Sequence, residues 1–454
     1  MNAIPRRRTA AIASIHTRLA QACALALALA SGTARADVVT DMNAVVASPP
    51  VAPRFGGPQQ QSRALAMIQI AVHDALNSID RRYDTYSVVP TANAGASANA
   101  AVAAATRRVT LALLAPVPDS ADKTAAITAV NNAFDNVLGP MPYDAAELEG
   151  IDAGNAAGDA ILAARVGDGA ATPSTPYTLA AGPGVYQPTP NPGLTPDPIV
   201  PAFGLWGNVR PFAVRSALQF RPAAPDIFDL AGTSYTRDYN EVKSVGDALV
   251  RGADPNSAQS DIARFWPGGG SNWNLSARTI VSGLGLDAWQ HARLFALLNM
   301  AEADGLITTM GAKYAYNFWR PVTAIHWADD GNPATASDAN WRPFLVTPPY
   351  PDYPCALPTS TGASTEVLRR YFGTDEIAFS RTFNAGPLPL PSPLTELPGK
   401  PITRHFDSLS QAANEALSAR VYAGIHFRTG CEVGVRVGTQ VGRFVVQHYL
   451  RPVK

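Results

Sequence analysis

The longest irregular stretch of the sequence, from Thr172 to Pro225, limits the folds open to this chain. Prolines recur there every few residues, as in GPGVYQPTPNPG, and proline interrupts both helices and central strands. Trp206, Phe212 and Phe220 lie within it, whereas a disordered linker seldom carries so many aromatic side chains. We therefore predict a long loop that wraps over the surface of a folded body.

Helical patterns lie on both sides of this loop. Apolar residues recur at spacings of three and four in Ser62–Asp80, three Ala-rich segments follow, and Asp287–Gly305 is periodic again beyond the loop. No series of alternating strands is visible, so the predicted fold is all-α, with helical regions that form one integrated unit and long Pro-rich surface loops. The predicted divisions are 1–36, a signal peptide; 37–171, an N-terminal helical region; 172–230, the wrapping loop; and 231–454, a C-terminal helical region.

Residues 1–36 have the composition of a secretory signal peptide. Arginines precede the apolar run Ala20–Ala30, and Ala34-Arg35-Ala36 forms a small-residue cleavage site. The run is too short for a stable bilayer anchor, and no later segment is long and apolar enough to predict a membrane span. We expect a periplasmic or secreted protein, and twin-arginine export is an alternative to the general route.

The charge balance restricts the partners. The chain has 36 basic and 36 acidic residues; removal of the signal takes five arginines and no acid, which leaves 31 basic against 36 acidic residues. A mildly acidic protein is not expected to bind nucleic acid or an anionic membrane. The expected partners are small molecules, a homodimer is compatible with the sequence, and any anion site must be built locally.

One local concentration of positive charge is KYAYNFWRP, which begins at Lys313. Lys313 and Arg320 are seven residues apart, so an α-helix would place both on one face, and Pro321 is expected to end that helix at Arg320. An ammonium beside a guanidinium suits a tetrahedral oxyanion, although a solvated helix face gives the same spacing. Asp304 is the acid expected beside these cations.

Two further segments extend this pattern: YPDYPCALPTSTGA over 350–363 and SARVYAGIHFR over 418–428. With KYAYNFWRP they resemble the vanadium-dependent haloperoxidases and the type 2 phosphatidic acid phosphatases, whose motifs are Lys-x6-Arg-Pro, Pro-Ser-Gly-His and Ser-Arg-x5-His-x3-Asp. The first motif is complete. The third keeps Arg420 and His426, with Ala419 and Gly430 in the Ser and Asp places.

The second motif departs furthest from the family, because Cys355, Ala356 and Leu357 stand in place of Ser, Gly and His. In the family this histidine is the acid–base group, which leucine cannot replace. The resemblance therefore implies impaired activity. His326, six residues after Arg320, is a candidate substitute proton carrier.

The resemblance implies an all-α fold of the vanadium haloperoxidase type and a binding site for vanadate, or for phosphate in the same place. The oxygens of the anion would be held by the side chains of Lys313, Arg320 and Arg420 and by the backbone amide at Ala356. His426 would bind vanadium. The residues assigned in this way are Lys313, Arg320, Ala356, Arg420 and His426. The expected reaction is halide oxidation by peroxide. The alternatives are phosphoester hydrolysis with His426 as nucleophile, and a non-catalytic protein that binds oxyanions.

Once the signal is removed, two cysteines remain, Cys355 and Cys431, each beside a motif that the family fold brings to the site. An even pair in an exported protein predicts a disulfide. HExxH and CxxC are absent from the sequence, so a zinc site of the usual kinds is not predicted.

Overall fold

The computed structural model describes residues 37–173, 177–189, 201–266 and 271–453, so the predicted signal peptide lies outside the described residues. Helices dominate the described residues, and the predicted all-α class is confirmed. Their bounds are α1 Val38–Val46, α2 Pro58–Ile79, α3 Ala98–Leu114, α4 Ala121–Leu138, α5 Ala145–Ala164, α6 Thr233–Val245, α7 Ala248–Ala253, α8 Ala258–Phe265, α9 Ser271–Val281, α10 Ala288–Tyr316, α11 Pro321–His326, α12 Ala356–Phe372, α13 Leu409–Tyr422 and α14 Arg428–His448.

Helix α10 is the centre of the bundle. It is 29 residues long and buried along almost its whole length, with α2, α12 and α14 packed against it. A helix that is apolar on all sides is stable only when neighbours cover every face. Because α10 ends beside the cationic motif, its buried position carries that motif into the interior. No helix within the described ranges has the length and apolar character needed to cross a membrane.

A small strand region lies between α12 and α13. Strand β1 (Phe379–Ala385) pairs antiparallel with β4 (Lys400–Phe406), and the short strands β2 (Leu388–Pro389) and β3 (Glu396–Leu397) pair between them. Alternate residues of β1 and β4 are buried, which is the period of a half-covered strand. The sequence did not predict this ribbon, because prolines occur within and between its strands, and proline is unfavourable inside a sheet.

The part of the wrapping loop that the structure describes is packed onto α10. Backbone N–H groups of Phe212, Ala213 and Val214 donate to the carboxylate of Asp304, over 2.6, 2.7 and 2.8 Å. Asp304 is fully buried, and burial raises its pKa to about 6, although these hydrogen bonds act to lower it. The expectation that Asp304 neighbours the cations was wrong, because its carboxylate is used to fasten the loop.

Helices α12 and α14 approach each other closely because glycines line α14. Gly434, Gly438 and Gly442 are four residues apart, which places them on one face of the helix. A Cβ at these positions would lie 2.5, 2.0 and 2.5 Å from carbonyl oxygens of α12 or its cap. Backbone therefore packs on backbone, and the first residues of α12 and α14 are held side by side.

Gly438→Ala tests this contact. The new methyl group would meet the carbonyl oxygen of Thr359 at 2.0 Å, so the helices must separate, and we expect a loss of about 1–3 kcal/mol in the free energy of unfolding. Urea denaturation measures it. The control is Gly386→Ala, whose Cβ would meet nothing within 4 Å and should change stability by less than about 0.5 kcal/mol. Equal stability of the two variants would contradict the packing.

Candidate functional site

The cationic motif is not one continuous helix. Helix α10 ends at Tyr316 because Asn317 adopts the left-handed conformation, with φ of 50°. Arg320 is instead the N-cap of α11, and Pro321 is the first residue of that helix. The prediction that Lys313 and Arg320 share a helix face was therefore wrong. Proline begins a helix here, as it can wherever the missing N–H needs no partner.

Lys313 is completely buried in the last turn of α10. Its ammonium donates to the carbonyl oxygens of Pro351 and Asp352, over 2.8 and 2.6 Å. Burial and the charge of Arg320 lower its pKa to about 7. A bound anion would favour the charged form of this lysine.

Arg320 is also completely buried. Its Nε donates to the carbonyl oxygen of Tyr350 (2.7 Å), and Nη1 donates to that of Ile425 (2.8 Å). Nη2 is buried and has no hydrogen-bond partner among the described residues. The ring of Tyr350 packs against both cations, 5.0 Å from the Arg320 guanidinium carbon and 5.1 Å from the Lys313 ammonium.

Arg420 completes the group of buried cations. It lies in the last turn of α13 and is 5% exposed. Nη1 donates to the carbonyl oxygen of Trp266 (3.0 Å), while Nε is buried with no partner among the described residues. We call Lys313, Arg320 and Arg420 the cationic cluster. Two of its guanidinium nitrogens, Arg320 Nη2 and Arg420 Nε, find no acceptor in the part of the chain that the structure describes.

His426 lies between α13 and α14 rather than within a helix, and it is 2% exposed. Arg320 Nη1 is 2.9 Å from Nε2, and an oxygen of Asp352 is 2.6 Å from Nδ1. Since an arginine can only donate, Nε2 is assigned as the acceptor and Nδ1 as the protonated nitrogen. Burial and the charges of the cationic cluster lower the pKa of His426 well below its ordinary value, so the ring is neutral.

Asp352 is the acid of this site, and no motif in the sequence pointed to it. It is 1% exposed, contacts His426, and lies 3.7 Å from Arg320 Nη1. Burial raises its pKa to about 7, although the charges of Arg320 and Lys313 oppose this. A Cβ at Gly430 would lie 3.1 Å from its other oxygen. Asp352 therefore occupies the space beside the position at which the family motif has its own aspartate.

The altered second motif forms the start of α12. Cys355 is the N-cap of this helix, and its N–H donates to the carbonyl oxygen of Gly430 (2.9 Å). Ala356 and Leu357 are 8% and 6% exposed, and Leu357 belongs to the main hydrophobic core. His326 is bonded to the carbonyl oxygen of Trp341 (2.7 Å) rather than to a residue of the site. Neither position therefore supplies the missing acid–base group.

Cys355 and Cys431 are both buried and free, so the predicted disulfide is not formed in the structure. Their sulfurs nevertheless lie within 4.8 Å of each other. Burial raises the pKa of Cys355, but Cys431 and the charges of Arg420 and Lys313 outweigh it and lower the net pKa. Burial raises the pKa of Cys431.

The donors of the site fit a tetrahedral oxyanion such as vanadate. Three buried cations can neutralise it, the two unpartnered N–H groups can bind its oxygens, and a neutral imidazole is present. The acid–base function does not fit, because Leu357 has no transferable proton. The structure thus favours binding of vanadate over catalysis that uses it.

Comparison with known proteins gives three relevant matches. Residues 293–454 match the family described as the VCPO second helical-bundle domain. Vanadium chloroperoxidase from Curvularia inaequalis is 32% identical over 171 residues, which cover 30% of this chain and 27% of that protein. A bacterial vanadium-dependent iodoperoxidase superposes with a TM-score of 0.71 at 23% identity, over 92% of this chain and 97% of that one. The predicted kinship with the vanadium haloperoxidase superfamily is confirmed.

The extent of these similarities differs between fold and sequence. The holo form of a bacterial vanadium-dependent chloroperoxidase superposes with a TM-score of 0.68 at 19% identity, over 88% of this chain and 94% of that one. The likeness to solved structures therefore supports the fold along most of the chain. The family model matches residues 293–454, within the C-terminal helical region, and the chain spans about a quarter of the length of the curated relative.

The protonation of His426 can be measured directly. We expect its ring to remain neutral to a pH well below the ordinary pKa of histidine, because burial and three nearby cations oppose a further charge. Nitrogen-15 NMR of histidine-labelled protein reports this, with the signal assigned by its loss in His426→Gln. Exposed His405 supplies the control, since His405→Gln should leave that signal in place. A change to the imidazolium spectrum at or above about pH 6.5 would contradict the assignment.

Proposed function

We propose that the protein binds a vanadate or phosphate anion through the cationic cluster and His426. The observation that carries this proposal is the pair of buried guanidinium nitrogens, Arg320 Nη2 and Arg420 Nε, which have no acceptor among the described residues. Buried donors left without a partner cost free energy, and an anion that accepts from both would remove that cost. The vanadium peroxidases among its relatives favour vanadate as one such anion.

Each residue then has a definable part in binding. Arg320 and Arg420 donate to oxygens of the anion, and Lys313 contributes charge while it is protonated. His426 presents a neutral nitrogen, as required of a ligand to vanadium or of a nucleophile towards phosphorus. When bound, vanadate supplies an electrophilic metal centre for peroxide chemistry. The near-complete burial of these side chains excludes water and strengthens their charge interactions.

The proposed reaction is halide oxidation by peroxide at an impaired rate, in a protein exported to the periplasm or the medium. Leu357 limits the rate, since it occupies the family's acid–base position. Phosphoester hydrolysis would use the same anion site with His426 as nucleophile. A non-catalytic binding protein would use the same site without turnover. Vanadate- and peroxide-dependent bromination separates the first function from the other two, and phosphate release without peroxide separates the second from the third.

The binding proposal predicts a loss of affinity on removal of one cation. Arg420→Ala should weaken vanadate and phosphate binding by about 2–5 kcal/mol, because a charge partner of a buried anion is lost. Calorimetric titration measures this. Arg451→Ala is the control, because Arg451 is exposed near the far end of α14 and its removal should not alter affinity. If Arg420→Ala bound the anions as tightly as wild type, the cationic cluster would not be the binding site.

The rate proposal predicts a partial gain of function from Leu357→His. General acid–base catalysis contributes about 10²–10⁴-fold in typical enzymes, and the two side chains are similar enough in size to limit overpacking. Only part of that factor is expected, since the buried position disfavours imidazolium. Adding Ala356→Gly should increase the gain by freeing the adjacent amide. Dye bromination with vanadate and peroxide compares these variants with wild type.

Leu357→Gln is the matched control for this experiment. Glutamine is polar and of similar size but transfers no proton near neutral pH, so it should not increase the bromination rate. A gain with glutamine equal to that with histidine would point to polarity or packing instead of proton transfer. A wild type as fast as an intact haloperoxidase would contradict the proposed impairment.

A further inference from the structure

Three potential metal ligands meet inside the site. The Sγ atoms of Cys355 and Cys431 and a ring nitrogen of His426 all lie within 4.8 Å of one another. All three residues are buried, with at most 2% exposed. The sequence shows no metal motif because Cys355 is 76 residues from Cys431. The close packing of α12 on α14 brings the two cysteines together.

We propose that Cys355, Cys431 and His426 form a binding site for one soft monovalent metal ion, copper(I). Two thiolates and an imidazole are a soft donor set that selects copper(I) or zinc. Structural zinc sites are almost always four-coordinate, whereas this group has three ligands among the described residues. A three-coordinate arrangement therefore favours copper(I) over zinc.

The charge of the complex favours the same ion. Binding breaks two S–H bonds and forms two Cu–S bonds, and the two protons leave to solvent without any change in oxidation state. Two thiolates, a neutral imidazole and copper(I) carry a net charge of −1, while zinc(II) would give a neutral complex. Arg420 and Lys313 act on Cys355 through their positive charges. The cationic cluster thus stabilises an anionic copper complex more than a neutral zinc complex.

The contacts of His426 fit a metal ligand. Histidines that bind metals almost always hold their other ring nitrogen against a carboxylate, a carbonyl group or water. A carboxylate oxygen of Asp352 lies 2.6 Å from Nδ1, although without the alignment of a hydrogen bond, and we assign Nε2 to the ion. Arg320 Nη1 must then leave Nε2, but it keeps its hydrogen bond to the carbonyl oxygen of Ile425.

The metal proposal does not rest on oxyanion binding. It requires the two cysteines, whereas the oxyanion proposal requires the cationic cluster. His426 belongs to both, so the two ligands should exclude each other. Binding of copper(I) with no affinity for vanadate would overturn only the oxyanion proposal, and the reverse result would overturn only the metal proposal.

Titration of the reduced full-length protein with copper(I), in competition with a chromophoric chelator under argon, tests the site. We expect one ion per chain, and a loss of affinity of at least about a hundredfold in Cys355→Ser and in Cys431→Ser. His405→Gln, at an exposed histidine, is the control and should bind as wild type does. An unchanged affinity in the double cysteine variant, or no binding by the reduced wild type, would overturn the proposal.

X-ray absorption at the copper edge gives a second measurement that needs only the wild type, so it does not depend on the variants folding. Two sulfur ligands and one nitrogen ligand are expected. A copper ion surrounded by nitrogen and oxygen alone would show binding elsewhere on the protein and overturn the assignment. Zinc(II) is the comparison ion, and tighter binding of zinc than of copper(I) would overturn the choice of metal.

Discussion

The contact of backbone with backbone between α12 and α14 is the constraint on which the site depends. Glycines at 434, 438 and 442 let α14 approach carbonyl oxygens of α12 and its cap more closely than any side chain would allow. The cap of α12 is Cys355, and the first turn of α14 contains Cys431. The distance between the two helices therefore sets the distance between the elements that carry the ligands.

The second constraint is electrostatic. Lys313, Arg320 and Arg420 are buried together, and Asp352 is the acid that contacts this part of the site. Carbonyl oxygens at the ends of helices and in turns supply most of the remaining acceptors. Carbonyl dipoles solvate a cation but do not cancel its charge. Burial and the positive potential that remains lower the pKa of Lys313 and of His426, and that potential would attract an anion.

Much of this arrangement could be predicted from the sequence. Periodicity and composition were sufficient for the all-α class, and the three motifs identified the superfamily. The residues of the cationic cluster and His426 were also named from those motifs, and the structure brings them together. These features are local in sequence or are fixed by motif order, which is why sequence reasoning reached them.

Features that depend on distant parts of the chain were missed. Asp352 lies within the motif-bearing segment 350–363, but nothing in the spacing showed that its carboxylate would reach His426, 74 residues later. The glycines of α14 recur every four residues, a signal in the sequence whose partner helix could not be known. Asp304 was placed wrongly because its partners are backbone N–H groups of the loop, which carry no sequence signal.

The positions of Asp352 and Gly430 also constrain how such a site can change during evolution. A side chain at 430 would enter the space beside the Asp352 carboxylate, so acids at both positions would bury two like charges in contact. A chain with neither acid would leave His426 without a carboxylate neighbour. Each single substitution is thus unfavourable alone, and the two positions are epistatic. An ancestor that moved its acid from one position to the other had to pass through one of these disfavoured sequences.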